Sequence, residues 1–265
     1  IVTEKEANRL EKLSSCLIGI SPTTQVDMFT SMAKNASKGL PKRIMSTLND
    51  FKNSQDGCIL IKGLPLDENY IWTPKNNQYH IGETTILSRI QAIINEYIGE
   101  MVSYEAEGNG RLFQDMVPNK ELALSQTSLG SKKELELHTE QAFSEMRPDY
   151  LSLACLKGDI YAKTYIMHLQ NILDKFTMYE TKVLTRELWE IGVDQSFVMN
   201  GCSSNLRGPL SILDLKDGEF QLIFDQDLMV GLTTEASDLI DEIIDLYYEC
   251  SCLLYTSDAA DDRIC

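Results

Sequence analysis

Apolar residues at Ala7, Leu10, Leu13 and Leu17 recur at helical spacing through a polar stretch, which predicts a helix over residues 4–17. A second helix is expected over residues 31–51. A third is expected over residues 85–97, where Ile86, Ile90, Ile93, Ile94 and Tyr97 form one stripe. Between them, "GCILIKGLPL" (residues 57–66) is a β-branched run closed by Gly63 and Pro65, the pattern of a buried strand entering a turn. From residue 101 to 156 the texture becomes strand and loop, with a turn at Gly108-Asn109-Gly110 followed by a strand. Leu135 and Leu137 alternate with charged neighbours, as in a half-exposed strand. "DYLSLACL" (residues 149–156) reads as a buried strand with Cys155 in the core. Helix is expected over residues 160–176 and again over 177–191. "GPLSIL" and "EFQLIFD" then form two strands joined at "DLKDG". A last helix, capped by Thr234, carries Leu239, Ile240, Ile243, Ile244 and Tyr247 on one face. The expectation is one domain over residues 1–249, a sheet covered by helices.

Composition narrows the function. With 43% hydrophobic residues, the 265-residue chain can bury a proper core. Its net charge of −16 argues against nucleic acid and against anionic membrane surfaces, and suits a cationic or zwitterionic small substrate. No apolar run reaches the roughly 18 residues of a membrane span. The first residues, "IVTEKEANRL", lack the basic and apolar regions of a signal peptide, and also an initiator Met. Seven cysteines without a C-x-x-C spacing read as free thiols in a reducing, cytoplasmic setting.

The candidate chemistry lies in "ELELHTEQAF". Residues two apart on a strand share a face, so His138 and Glu140 can present an imidazole nitrogen and a carboxylate to one point. Two such ligands and a distant His make the facial triad of non-haem Fe(II) oxygenases. A polar edge on an ordinary strand is the alternative. Glu134 and Glu136 would crowd the same face of a regular strand, so a twist or bulge near Leu137 is expected.

The segment "LHTEQAFSEMRPDYLSLACLKGD" resembles the metal-binding segment of the clavaminate synthase-like Fe(II)/2-oxoglutarate oxygenases, and within them the free-arginine and free-asparagine hydroxylases. "GCILIKGLP", "EGNGRLFQDMVP" and "GPLSILDLKDGEFQLIFDQDLM" extend the resemblance, in order, over residues 46–249. It implies an α+β, mainly β fold: a double-stranded β-helix (jelly-roll) core with flanking helices. It also implies His138 and Glu140 as ligands of Fe(II), 2-oxoglutarate and O₂ as co-substrates, and hydroxylation of an amino-acid side chain. A carboxylate at Glu140 favours hydroxylation over halogenation.

The resemblance also implies substrate contacts. Asp225 and Asp227 form an Asp-x-Asp pair that suits a guanidinium, which favours L-arginine; a solvated acidic turn is the alternative. Glu107 corresponds to a position that binds the substrate α-amino group, or is an exposed loop residue. Ser128 is a candidate contact for the substrate carboxylate, or one serine of a serine-rich loop, and Thr164 falls where a hydroxyl meets 2-oxoglutarate or a helix starts. His168, inside a helical pattern, and His80, in a loop, are not expected to be ligands.

The family's distal His and its 2-oxoglutarate-binding Arg are expected beyond a helix like that after Thr234. There the chain instead runs into "CSCLLYTSDAADDRIC". Residues 250–265 change texture and resemble translated adapter text, so they are expected to be a non-native tail on a truncated, inactive domain. A metal-free binding module on the same fold, or oxidation of asparagine or another amino acid, are the other readings. Oligomeric state is not legible.

Overall fold

The computed structural model describes residues 1–54, 56–68, 72–125, 130–158, 163–216, 218–250 and 252–255. The chain divides into two compact units, Ile1–Glu134 with Ser152–Lys157, and Leu135–Leu151 with Gly158–Cys265. Among the described residues no helix is long and apolar enough to cross a membrane.

The first unit is helical. Helix α1 (Glu4–Ser14) opens with a capping box in which the Thr3 hydroxyl accepts the Glu6 N–H and the Glu6 carboxylate accepts the Thr3 N–H. Helices α2 (Val26–Ser37) and α3 (Lys42–Asn53) replace the single helix expected over residues 31–51. The break falls at Gly39-Leu40-Pro41, because proline cannot continue a helix from its N-terminal side and restricts the residue before it. Helix α4 (Ile86–Ile98) begins one residue later than expected, with Thr85 as its cap. It packs against α1, α2 and α3. Ile90 and Ile93 are fully buried, in one cluster with Leu10, Leu17, Phe29 and Leu48.

The run at 57–66 is not a strand. It is extended, with Ile59, Ile61 and Leu64 turned to the core, and the Val2 N–H donates to the Lys62 carbonyl at 2.8 Å. No ladder partner lies beside it among the described residues. The segment after Gly110 is likewise without strand.

The second unit carries the antiparallel strands. Strand β1 (Thr164–Ile166), helices α5 (Leu169–Lys175) and α6 (Met178–Leu184), and strand β2 (Trp189–Ile191) occupy the two stretches expected to be helix. Thr164, Tyr165 and Ile166 are β-branched or aromatic and favour the extended chain. His168 ends that chain as the residue before α5, not as part of a helix. Then follow α7 (Gln195–Met199), β3 (Arg207–Leu210), β4 (Leu213–Lys216), β5 (Glu219–Leu222), β6 (Met229–Gly231), α8 (Thr234–Cys250) and β7 (Cys252–Tyr255).

Strand β2 lies between β3 and β6, β4 pairs with β5, and β1 pairs with β7, all antiparallel. The hairpin is therefore β4–β5, with Leu213 opposite Leu222, while "GPL" pairs elsewhere. Helix α8 is capped by Thr233 rather than Thr234: its hydroxyl accepts the Ala236 N–H at 3.1 Å. Leu239, Ile240, Ile243 and Tyr247 are buried as expected, joined by Ala236 and Leu246. A Cβ on Gly231 would stand 2.5 Å from the Ser237 amide nitrogen, so the β6–α8 turn requires glycine. The fully buried Trp189 ties the two elements together, donating its indole N–H to the Ala236 carbonyl at 2.9 Å.

Residues 149–156 are not a buried strand. They form no strand, and Tyr150, Leu151, Leu153 and Cys155 are exposed.

Candidate metal and substrate site

His138 lies opposite Asp225 in an isolated antiparallel bridge. The Thr139 N–H donates to the Phe224 carbonyl at 2.8 Å, and the Gln226 N–H donates to the Leu137 carbonyl at 2.9 Å. Those two bonds flank the His138–Asp225 pair and do not pass through it. It is thus a non-hydrogen-bonded pair, the closer kind, whose side chains stand side by side on one face. The fold consequently sets an imidazole next to an acid from a segment 85 positions or more along the chain.

The imidazole is oriented. His138 Nδ1 lies 2.7 Å from the Glu136 carbonyl oxygen, and only a protonated nitrogen can donate there. In the neutral ring, a proton on Nδ1 leaves the lone pair on Nε2, the arrangement of a metal-ligating histidine. After Thr139 the chain leaves the strand, and Gln141 takes a left-handed conformation with φ 47°. This turn comes four residues after Leu137, where the departure from a regular strand was expected. It carries Ala142 and Phe143 into the core, where Phe143 meets Phe197 edge-on with ring centroids 5.0 Å apart.

Glu140 is half-buried. Burial pushes its carboxyl above the usual range; His138 opposes that shift and the Asp194 carboxylate adds to it. Asp194 escapes sequence reasoning as a neighbour of Glu140. Its local pattern signals only the cap it provides to α7, accepting the Ser196 N–H at 2.7 Å. One imidazole and one half-buried carboxylate are two of the three donors of the 2-His-1-carboxylate set that holds a divalent iron. Among the described residues no group of three His, Cys, Asp or Glu side chains converges as a metal cage.

The two acids play different parts. Asp225 is half-buried, and its Oδ1 accepts the N–H groups of Asp227 at 3.0 Å and Leu228 at 2.9 Å. Its own carbonyl accepts the Met229 N–H at 3.0 Å, closing the turn into β6. Burial pushes the Asp225 carboxyl up, against the pull of the two amides and His138. Asp227 sits on that turn and is exposed, so the pair does not form a symmetrical fork.

Glu107 belongs to the first unit, just before a single turn at Gly108–Gly110. A Cβ on Gly108, at φ 56°, would stand 2.5 Å from the Gln114 side chain, which a larger residue would have to displace. Thr164 is the first residue of β1 and exposed, not a helix start. Ser128 lies outside the described residues. His80 is a loop residue with φ 49°.

Comparison with known proteins decides the family. The chain is 42% identical, over 253 residues, to an L-lysine 3-hydroxylase of Catenulispora acidiphila, covering 94% of this chain and 70% of that protein. The chain belongs to the clavaminate synthase-like Fe(II)/2-oxoglutarate oxygenases. Members of this family are enzymes. Clavaminate synthase 2 of Streptomyces clavuligerus is 28% identical over 142 residues, 52% of this chain and 43% of that one. A crystal structure of an asparagine oxygenase with Fe(II), hydroxyasparagine and succinate superposes with a TM-score of 0.82 at 22% identity. That superposition covers 95% of this chain and 80% of the other, and shows a shared fold. No family model matches the chain.

Proposed function

We propose that this chain carries the iron- and substrate-binding strands of an Fe(II)/2-oxoglutarate-dependent hydroxylase of a free basic amino acid, with L-lysine as the preferred substrate. The observation that carries the reading is the side-by-side pairing of His138 with Asp225. His138 and Glu140 would hold the iron, and a jelly-roll core would enclose it. Bound iron with 2-oxoglutarate and O₂ supplies oxidative decarboxylation to succinate and the oxygen for a C–H hydroxylation.

The chain's own residues bind and orient. Through its bond to the Glu136 carbonyl, the His138 ring keeps Nε2 aimed outward. Asp225 holds its turn with Oδ1 and has Oδ2 left to offer a cation beside the metal pair. An ammonium, a compact charge with three rotatable donors, is satisfied by single-point contacts. A guanidinium is read best by a carboxylate with both oxygens available. That argument and the lysine hydroxylase relative turn the arginine expectation toward lysine. The net charge of −16 favours a cationic substrate in either case. The Thr164 hydroxyl would face 2-oxoglutarate.

The test is to supply a protein that carries this chain together with the family's distal His and Arg with Fe(II), 2-oxoglutarate and, separately, L-lysine, L-arginine, L-ornithine and L-asparagine; the chain by itself should release no succinate. Succinate release and a product heavier by one oxygen atom are measured. Lysine should give the highest kcat/KM. A preference for asparagine would overturn the substrate, and no succinate with any of the four would overturn the enzyme reading.

A further inference from the structure

We infer that Thr139 and Gln226 are positioning residues whose side chains, by standing in for main-chain carbonyls, hold the His138–Asp225 pair in register while letting both chains turn away from it. The inference rests on the metal reading above and deepens it.

In a regular antiparallel ladder, Thr139 and Phe224 would exchange two main-chain bonds, as would Leu137 and Gln226. Only one of each is made. The Thr139 N–H reaches the Phe224 carbonyl, but the Phe224 N–H donates at 3.1 Å to the Thr139 hydroxyl and not to the Thr139 carbonyl. The same hydroxyl lies 3.2 Å from the Phe224 carbonyl, to which it donates. At the other end the Gln226 N–H reaches the Leu137 carbonyl, and the Leu137 N–H meets the Gln226 side-chain Oε1 at 3.4 Å. Each flank of the pair thus has one main-chain bond and one side-chain substitute.

The substitution has a geometric consequence. A ladder completed through the Thr139 carbonyl would keep the chain extended, and Glu140 would follow the strand. With the hydroxyl in that place, the carbonyl is released and the chain can bend at once into the left-handed Gln141. On the partner segment, Gln226 likewise frees its carbonyl where the turn capped by Asp225 begins. Two short arms therefore meet at one pair, bearing the metal ligands on one arm and the acids on the other. The stronger contact is Thr139, since 3.4 Å is long for a hydrogen bond.

The experiment titrates Mn(II) into the purified protein by calorimetry, for wild type, Thr139→Val and Thr139→Ser, with a thermal melt of each. Valine keeps the shape and removes the hydroxyl; serine keeps the hydroxyl. Outer-shell partners of metal ligands typically carry about 10- to 100-fold in affinity. Thr139→Val should weaken Mn(II) binding by at least about tenfold, and Thr139→Ser should restore it. If wild type fails to bind Mn(II), the metal reading itself falls. If wild type binds and Thr139→Val binds equally well, only the positioning role falls. Should Thr139→Val not fold, amide exchange in the wild type decides. The Phe224 N–H should exchange as slowly as those within β2, and exchange at loop rates would overturn the inference.

Discussion

Replacing Asp225 separates two jobs that one carboxylate performs. Asparagine retains Oδ1, so the N–H groups of Asp227 and Leu228, now at 3.0 and 2.9 Å, keep their acceptor and the turn into β6 survives. What disappears is the negative charge beside His138. A hydrogen bond to a charged group contributes about 1.5–3 kcal/mol, equivalent to about 10- to 150-fold in affinity. D225N should therefore melt near wild type, while KM for a basic amino acid rises by that factor and kcat changes little. Alanine removes both acceptor and charge. Two amides lose their partner at a half-buried turn, at a cost of about 1–3 kcal/mol. For a chain of this size that is a fall in Tm of about 2–12 °C. Differential scanning calorimetry of the two variants, and steady-state kinetics of the same substitutions in a protein that also carries the family's distal His and Arg, make the test. If D225N kept the wild-type KM for lysine, the acid would not read the substrate. If D225A melted with wild type, the turn argument would fail.

Glu96 is buried in α4, accepts the Met101 N–H at 3.1 Å, and has its carboxyl pushed up chiefly by burial. A raised carboxyl means that the folded state takes up its proton before the unfolded state does, so wild type gains stability as pH falls through the raised value. E96Q, which keeps the acceptor, should melt higher than wild type at pH 8, with the gap closing toward pH 4. Glu6 behaves oppositely. Its hydrogen bonds from Arg43 and Thr3 hold its pKa at about 2, so the stability it contributes is present above pH 4.5 and lost as pH falls through about 2. The melting difference between wild type and E6Q should follow that window and shrink with added salt. Trp189→Phe removes the indole N–H that serves the Ala236 carbonyl and opens a void, at about 2–3 kcal/mol. Urea titration should show a lower midpoint at unchanged slope.

Helices were legible where one face alone decides burial. The stripes of α1, α4 and α8 fall on Leu10, Ile93 and Ile243, all fully buried, because a helix satisfies its own main chain and needs only a wall to lean on. The break between α2 and α3 was written in Gly39 and Pro41, but the apolar period on either side masked it. Strands were less legible, since a strand exists only where another chain segment offers a ladder. Residues 57–66 and 149–156 have strand composition and no ladder, whereas 164–166 and 189–191 gained one inside stretches of helical period. In the candidate site, the nearness of His138 and Glu140 could be expected from a spacing of two, although the chain leaves the strand after Thr139. Thr139, Gln226 and Asp194 could not, because a side chain taking a carbonyl's place leaves no periodic trace.

The bridge that joins the two arms spans a sequence separation of 85 residues, counted from Thr139 to Phe224. Closing a flexible loop of that length costs on the order of 4 kcal/mol in chain entropy, about what the bonds at the bridge return at roughly 0.5–1.5 kcal/mol each. The bridge thus gains nothing by forming ahead of the sheet around it. A ribosome must have released residue 226 before the histidine meets its acid, and by then the whole β2–β6 sheet except its last strand is already in the growing polypeptide. On the proposed iron reading, a metal ion meeting the chain before the bridge closes would find an imidazole and a carboxylate with nothing to fix their aim.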